Sequence, residues 1–337
     1  MVKKLFLTVI AICALAVPAV TAADMTQTGQ AMGVFLKISP DAHYVAMGNV
    51  GTAASDGISS LHYNPAGIVS GETEAMFTHS MWFADITFDY LAIQIPVSEK
   101  SRLAFSFMHM SYPQMEETTV VQPDGTGIMF DAGDTAIAVS YGVNLLREVD
   151  FGFTVKVIQM TIWDMEANGF ALDAGIKYRT PIKGLTAGMS IANFGSNSQF
   201  SGGQLERMLS ATQVGNAYAY AQVTESFALP GLLRVGFAYE PYVNDQISTI
   251  LAADFVNSID NNETLNIGGE FMYHVNSDFN AALRAGYHAD GDLNASEFSF
   301  GGGVGYDFGG FGVVVDYAYN GYDKLDATHL FTLKLKF

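Results

Sequence analysis

Cysteine is almost absent from this 337-residue sequence, since Cys13 is the only one. It lies in an apolar run over residues 5–17, which follows two lysines and precedes small residues that end at Ala23. This order is typical of a cleavable secretory signal peptide, here residues 1–22, and the run is short for a membrane anchor. The exported chain is therefore predicted to lack disulfides, so its stability must come from its hydrogen-bonded architecture.

Long apolar runs are also lacking. After residue 22, no stretch approaches the roughly 20 consecutive apolar residues that a transmembrane helix needs. Hydrophobic residues nevertheless make up 49% of the sequence, charged residues only 15%, and the mean hydropathy is +0.20. Such values favour a membrane protein. Because only helices and closed barrels satisfy every backbone polar group in hydrocarbon, the composition predicts a β-barrel.

Basic residues are scarce as well. The sequence has 16 Lys and Arg against 34 Asp and Glu, which gives a formal net charge of −18. A chain of this charge repels phosphates, so the sequence argues against a nucleic-acid partner.

Catalytic and metal-binding motifs are not found. None of the seven histidines lies in a nucleophile motif or at metal-ligand spacing. The stretch 288–294 resembles the start of a calcium loop, but position twelve counted from Asp290 is Gly301 rather than Glu, which favours a hairpin turn. Glycines 301–303 continue a strand pattern, so they do not form a phosphate loop. We expect no enzymatic activity, no metal site and no cofactor.

Alternation of apolar and other residues is abundant. The clearest segment places Phe151, Phe153 and Val155 on one face, with Gly152 and Thr154 on the other. About 14 such segments follow residue 74, an even number that is typical of bacterial outer-membrane barrels. A soluble β-sandwich has the same period. The segments are 75–83, 85–97, 101–112, 133–145, 149–163, 169–180, 184–194, 231–240, 246–257, 263–275, 279–288, 297–308, 311–320 and 328–337.

Loop lengths separate the two architectures. The two long stretches, 113–132 and 195–230, both connect an odd-numbered segment to the next even-numbered one. The opposite connections are short, as in 98–100 and 309–310. A transmembrane barrel sorts its loops in this way, whereas a sandwich has no reason to do so. We therefore predict an all-β fold, a transmembrane antiparallel β-barrel over residues 75–337.

The two long loops differ in composition. The stretch 195–230 is rich in Ser, Gly, Gln and Asn, and is either a lid or partner-docking surface or a mobile excursion. The stretch 113–132 carries four acidic residues and is interpreted as a solvated acidic face rather than a metal site.

Charged residues fall on the faces opposite the apolar ones. They would each destabilise the barrel by several kcal/mol if they faced lipid, so they are expected to line the lumen. Both signs occur, so the set is either an ion-pair network that fills the barrel or a polar passage. The residues are Lys156, Asp173, Lys177, Arg179, Arg234, Asp254, Glu270, Arg284 and Asp316.

The C-terminal strand ends on an aromatic residue. Phe331, Leu333, Leu335 and Phe337 share one face, with lysines 334 and 336 on the lumen side. This pattern suits a last strand that closes the barrel against the first. It also suits the signal that barrel-assembly machinery reads on outer-membrane proteins.

Residues 23–74 do not alternate like strands. Short helices are expected near 42–47 or 57–62, and Asn64, Pro65, Ala66 and Gly67 are turn-forming residues. This N-terminal hatch segment either folds inside the barrel as a plug or packs beneath it as a periplasmic extension.

Several motifs in this region resemble those of PorV/PorQ-type outer-membrane proteins. They are the opening 35–38 (Phe-Leu-Lys-Ile), a Met-Gly step at 47–48, the stretch 53–57 (Ala-Ala-Ser-Asp-Gly) and the element 61–67 that ends Asn-Pro-Ala-Gly. The resemblance covers about residues 32–95. Residues 43–48 read His-Tyr-Val-Ala-Met-Gly where the family has Arg-Ala-Val-Gly-Met-Gly. The Asn-Pro-Ala element is also similar to the hatch motif of FadL-type transporters, which share a 14-stranded barrel.

The resemblance implies two functions. A PorV/PorQ-type member would bind secreted cargo or secretion-system proteins at the cell surface, as part of type IX secretion. A FadL-like member would instead admit long-chain fatty acids or other hydrophobic molecules by displacing its hatch. The first function is preferred here because the motif is closer to that family. Either way, we expect an outer-membrane location and contact with outer-membrane lipid.

Overall fold

A computed structural model describes residues 29–203, 205, 224–290, 297–322 and 326–337. The predicted signal peptide, residues 1–22, and much of the loop 195–230 lie outside the described residues.

The described chain forms a closed antiparallel barrel of 14 strands, which confirms the predicted fold class. The strands are β1 (Glu74–Met81), β2 (Thr87–Ser98), β3 (Ser101–Ser111), β4 (Ala132–Leu146), β5 (Val149–Ile162), β6 (Met165–Arg179), β7 (Leu185–Gly195), β8 (Leu232–Val243), β9 (Ile247–Ser258), β10 (Asn261–His274), β11 (Phe279–Asp290), β12 (Glu297–Asp307), β13 (Gly312–Asn320) and β14 (Thr328–Lys336).

Pairing between the first and last strands closes the sheet. Strand β1 runs antiparallel to β14, with Glu74 opposite Lys336 and Met81 opposite His329. Each strand pairs with its sequence neighbours, including β6 with β7. A closed sheet leaves no unpaired strand edge, which is the condition for placing backbone in hydrocarbon.

Side chains alternate between the two faces of the wall. On β14, Thr332 and Lys334 are buried on the inner face, whereas Phe331 and Leu333 are exposed on the outer face. The other strands follow the same alternation, and their exposed faces carry large apolar residues suited to lipid. The role of the C-terminal face as an assembly signal stays a prediction.

The connections sort by length between the two rims. The connection 112–131 and the connection 196–231 both join odd to even strands, so they lie at the same end of the barrel, the long-loop rim. The opposite end, the short-turn rim, carries connections of five residues or fewer, such as 99–100 and 308–311.

Strand β6 differs from its prediction. It begins at Met165, four residues before the expected start, after a two-residue turn in which Trp163 has a φ of 59°. The outward side chains Glu166 and Asn168 are exposed and polar, so this end of the strand does not show an apolar face. The apolar alternation on which the prediction rested therefore misses it.

Residues 29–73, here the inner segment, lie inside the barrel. Gly29 donates a backbone hydrogen bond to Asp260 at the long-loop rim, and Thr73 accepts one from Phe337 at the short-turn rim. The segment therefore runs through the lumen from one rim to the other. The described residues include no helix long and apolar enough to cross a membrane.

The inner segment contains four short helical turns. Helix α1 spans Ala42–Ala46, near the first predicted helix, and 3-10 turns span Val34–Lys37, Gly57–Ser60 and Pro65–Ser70. The turn-forming residues 64–67 begin the last 3-10 turn. Asn64 caps it, and its side-chain oxygen accepts from the amide of Ala66.

Glycines on the inner face of the wall make room for this segment. A Cβ added at Gly268 would overlap the carbonyl oxygen of Met47. At the neighbouring Gly269 it would lie 3.3 Å from the end of the Leu251 side chain and 3.5 Å from the carbonyl oxygen of Ile250, which is an ordinary contact distance. The inner-face glycines whose added Cβ would come within 3.0 Å of the inner segment are Gly142, Gly152, Gly175, Gly188, Gly236, Gly268, Gly286 and Gly301.

The Gly268–Gly269 pair tests the seating of the inner segment. We expect Gly268→Ala to displace α1, because overpacking against backbone typically costs roughly 1–3 kcal/mol. Limited proteolysis of the folded barrel should then cut the inner segment faster. Gly269→Ala makes the same change on the lipid face and should leave the cleavage rate unchanged. Equal cleavage rates for the two variants would contradict the packing of the inner segment against Gly268.

Candidate functional site in the barrel lumen

A buried ion network fixes α1 to the wall. Asp41, the residue that caps α1, lies 2.9 Å from the Nζ atom of Lys334 on β14. The same Nζ atom lies 3.3 Å from Asp316 on β13, which pairs at 2.7 Å with Arg284 on β11. Glu270 on β10 then links Arg284, at 2.6 Å, to His43 on α1, at 3.0 Å.

The network therefore starts and ends on the inner segment. All of its side chains are largely buried, and those of Asp41 and Asp316 have no exposed surface. Buried charges are tolerated only when they are paired, so inner segment and wall depend on each other here.

Two further wall residues hold the middle of the inner segment. Asp254 on β9 accepts hydrogen bonds from the amides of Gly51 and Thr52, both at 2.8 Å, and from the Thr52 hydroxyl at 2.7 Å. Lys177 on β6 donates to the carbonyl of Ser55 at 2.9 Å and pairs with Asp56 at 2.6 Å. Polar contacts thus continue along the segment.

The remaining predicted lumen charges divide into separate groups. Lys156 pairs with Asp173 at 2.7 Å within the wall and donates to Asn193 at the same distance. Arg179 is partly exposed near the short-turn rim, where it pairs with the buried Asp150. The structure therefore brings Glu270, Arg284 and Asp316 together and leaves the others in smaller clusters.

The opposite side of the lumen is apolar. Phe35 and Leu36, from the first 3-10 turn of the inner segment, belong to a buried cluster with Met108, Met110 and Met160 on β3 and β5. Wall residues of this cluster come from β1 to β6. Met side chains adapt readily to differently shaped apolar partners. The lumen thus has a polar side centred on β8–β14 and an apolar side on β1–β6.

Two adjacent cavities lie between the inner segment and the wall, towards the long-loop rim. The larger, about 310 Å³, has apolar lining residues that include Val34, Ile38 and Trp82, together with polar ones such as Asn320. The smaller, about 200 Å³, has more polar lining residues, among them Arg234, although most of its lining surface is also apolar. Lys37, Asn49 and His288 line both cavities. An amphipathic molecule has complementary surfaces in the two.

Arg234 is a buried cation without a carboxylate partner. It is 5% exposed, and no ion pair is found for it among the described residues. Its guanidinium approaches the carbonyl of His62 at 3.3 Å and the imidazole at 3.5 Å. The guanidinium therefore faces the cavity without an ion pair among the described residues, and the carboxylates of Asp173 and Asp254 act on it only from a greater distance.

The motif residues Asn64, Pro65, Ala66 and Gly67 pack against the wall. The side-chain amide of fully buried Asn64 donates to the carbonyls of Thr52, at 2.8 Å, and Ile176, at 3.0 Å. It thus joins two parts of the inner segment to β6. These hydrogen bonds give Asn64 a structural role.

Sequence reasoning missed the inner-segment side of the site. Asp41 and His43 complete the ion network, but they lie outside the alternating strands from which lumen charges were selected. One signal was present: Asp41 precedes a short helical stretch, where an aspartate is a preferred N-cap.

Comparisons with solved structures identify the barrel type. CymD, a monoaromatic hydrocarbon channel, superposes with a TM-score of 0.58 at 12% identity, covering 88% of this chain and 96% of its own. A FadL homologue from Pseudomonas aeruginosa gives 0.56 at 11% identity, covering 89% and 98%. The barrel has the FadL-like fold. The toluene transporter TodX from P. putida gives 0.57 at 10% identity, covering 87% and 97%.

These similarities, at 10–12% identity, establish a FadL-like barrel fold. A scan of protein-family models and a search of curated proteins give no match. The PorV/PorQ assignment stays a prediction.

Adjacent lysines on the inner face of β14 test the ion network. We expect Lys334→Met to destabilise the barrel by about 3–5 kcal/mol, because it leaves Asp41 and Asp316 buried with too few cations. Lys336→Met, whose side chain is 54% exposed at the rim, should cost no more than about 1 kcal/mol. The measurement for each variant is the urea concentration at which half of the protein loses the heat-modifiable gel shift of the folded barrel. Similar midpoints for the two variants would contradict a stabilising role of the ion network.

Proposed function

We propose that this protein is an outer-membrane channel for hydrophobic or amphipathic small molecules, with long-chain fatty acids as the first candidate. The observation that carries the proposal is the pair of cavities towards the long-loop rim, one with apolar lining and one with the buried cation Arg234. The similarity to hydrocarbon channels supports the same class of substrate.

The apolar side of the lumen provides the route. It meets the larger cavity at the first 3-10 turn, which lines the cavity with Val34 and Lys37 and packs Phe35 and Leu36 into the apolar side. Phe35 and Leu36 fill a compartment bounded by methionines, and apolar contacts hold them there. A hydrophobic substrate can replace those contacts with its own at little net cost in free energy. The ion network on the other side offers no such exchange, since opening it would expose unpaired buried charges. The first 3-10 turn therefore moves, and α1 stays in place.

Arg234 favours an acidic substrate over a plain hydrocarbon. A carboxylate would supply the charge partner that the described residues do not provide, and hydrogen bonds to charged groups contribute about 1.5–3 kcal/mol. The adjacent larger cavity then accommodates the start of the alkyl chain. The barrel-assembly machinery and outer-membrane lipid remain expected partners of the wall.

A secretion-associated function of the PorV/PorQ type is the second candidate. Close packing of the inner segment against inner-face glycines favours it, because such a lumen is closed in its resting state. It predicts that secreted cargo or secretion-system proteins co-purify from outer membranes in mild detergent. If neither kind of protein co-purifies and fatty-acid binding is saturable, the secretion-associated function is excluded in favour of the channel function.

Binding of a fatty acid and its alcohol tests the channel proposal. Purified barrel should bind palmitate saturably, and Arg234→Met should weaken that binding by about tenfold to a hundredfold. Binding of hexadecanol, which has the same chain and no charge, should change much less. The control Arg147→Met removes an exposed arginine and should alter neither affinity.

Two results count against the channel proposal. The absence of saturable palmitate binding by the unaltered barrel would contradict it as a whole. An equal loss for palmitate and hexadecanol in Arg234→Met would contradict the role of the guanidinium alone, since it would point to a disturbed cavity.

A further inference from the structure

The connection between β3 and β4, residues 112–131, is an ordered hairpin. Its short strands Met115–Glu116 and Met129–Phe130 pair with each other, and the ladder continues where Glu117 donates to Ile128 at 2.8 Å. From the sequence alone, this stretch is expected to be a solvated acidic face. A hairpin with its own ladder instead presents its tip in a defined position.

Aromatic stacking supports the base of the hairpin. The ring of Phe130 stacks on Trp163, with centroids 5.1 Å apart and an interplanar angle of 6°. The amide of Trp163 donates to the carbonyl of Asp131 at 2.8 Å. The turn between β5 and β6 thus holds the hairpin at the long-loop rim.

The tip displays two valines. Thr119 and Gln122 exchange backbone hydrogen bonds of 3.1 and 3.2 Å, which places Val120 and Val121 at the two corners of a tight turn. Their relative exposures are 102% and 89%. Turn corners normally carry Gly, Asn, Asp or Pro, whereas valine favours strands. Residues that go against such a local preference without stabilising the structure are expected mainly at functional positions.

Charge narrows the choice of partner. The hairpin carries Glu116, Glu117, Asp124 and Asp131, and residues 112–131 contain no Lys, Arg or His. Such a surface is repelled by anionic lipid headgroups and by a second copy of this chain, whose formal net charge is −18. A complementary surface is apolar at its centre and basic at its rim.

We propose that the hairpin 112–131 docks another protein, inserting Val120 and Val121 into an apolar pocket that lysines and arginines surround. The ordered ladder and the stacked base lower the entropic cost of binding, because the tip is already held in place. This interaction is independent of the lumen and of any substrate that passes through it.

Photo-crosslinking in cells identifies what the tip contacts. A photoreactive residue at the exposed position 118, beside the valines, is the probe, and the same residue at the exposed position 183 on the short-turn rim is the control. The proposal predicts one protein adduct at 118 that does not form at 183. Mass spectrometry then gives the partner, whose crosslinked surface should be rich in Lys and Arg.

Binding of the purified partner to the full barrel gives the decisive comparison. Val120→Thr with Val121→Thr keeps the β-branched shape and removes only apolar character, so the turn should persist. The double variant should weaken binding by about tenfold or more, while Asp124→Asn with Asp131→Asn should weaken it by a few-fold and reduce its salt dependence. Palmitate binding should not change in either variant.

Several outcomes overturn the proposal. Adducts at position 118 only to lipopolysaccharide would show that the tip contacts membrane, and adducts only to a second copy would show self-association. The absence of any adduct, or unchanged partner binding in the double threonine variant with an intact heat-modifiable shift, would also refute it.

Discussion

The pairing of buried charge between the inner segment and the wall is the interaction on which the rest of this structure depends. Asp41 and His43 on α1 meet Lys334 and Glu270 on the wall, and Asp316 and Arg284 complete the chain of contacts. A charge inside the barrel is tolerated only with a partner, so this side of the inner segment is tied to four strands at once. The closure of β1 on β14 brings those strands together, because Lys334 lies on the last strand. Barrel closure and seating of the segment are therefore one cooperative arrangement.

The asymmetry of the lumen follows from this constraint. Ion pairs have demanding geometry, so the polar side has one arrangement of low energy. Apolar contacts are less specific, and the methionines around Phe35 and Leu36 can pack against another hydrophobic group. A barrel built in this way can keep its inner segment attached and still exchange part of its apolar contents. In the proposed channel, the wall, the inner-face glycines and the cavities act together, whereas the docking proposed for the hairpin 112–131 is separate from the lumen.

The sequence predicts the wall better than the lumen. A period of two specifies which residues of β5 face lipid, and the cost of charge in hydrocarbon places Glu270, Arg284 and Asp316 inside. Their pairing is not predictable in the same way, since it depends on strand register and on Asp41, which lies 229 residues from Glu270 in the chain. The lack of an ion pair for Arg234 among the described residues is likewise not predictable from the sequence, because it depends on which carboxylates the folded lumen brings near the guanidinium. Polar outer faces, as at the start of β6, also escape a search for apolar alternation.

Hydrogen–deuterium exchange of the purified barrel, with and without saturating palmitate, tests the central claim most directly. The amides of Leu36 and Ile38 bond within the first 3-10 turn, and those of Tyr44 and Val45 bond to Asp41. The account predicts that palmitate speeds exchange in Val34–Lys37 and the adjoining Ile38, while Ala42–Ala46 keeps its protection. Faster exchange in Ala42–Ala46, or no change in either stretch despite bound palmitate, would contradict an inner segment that is anchored by its ion network and opens on its apolar side.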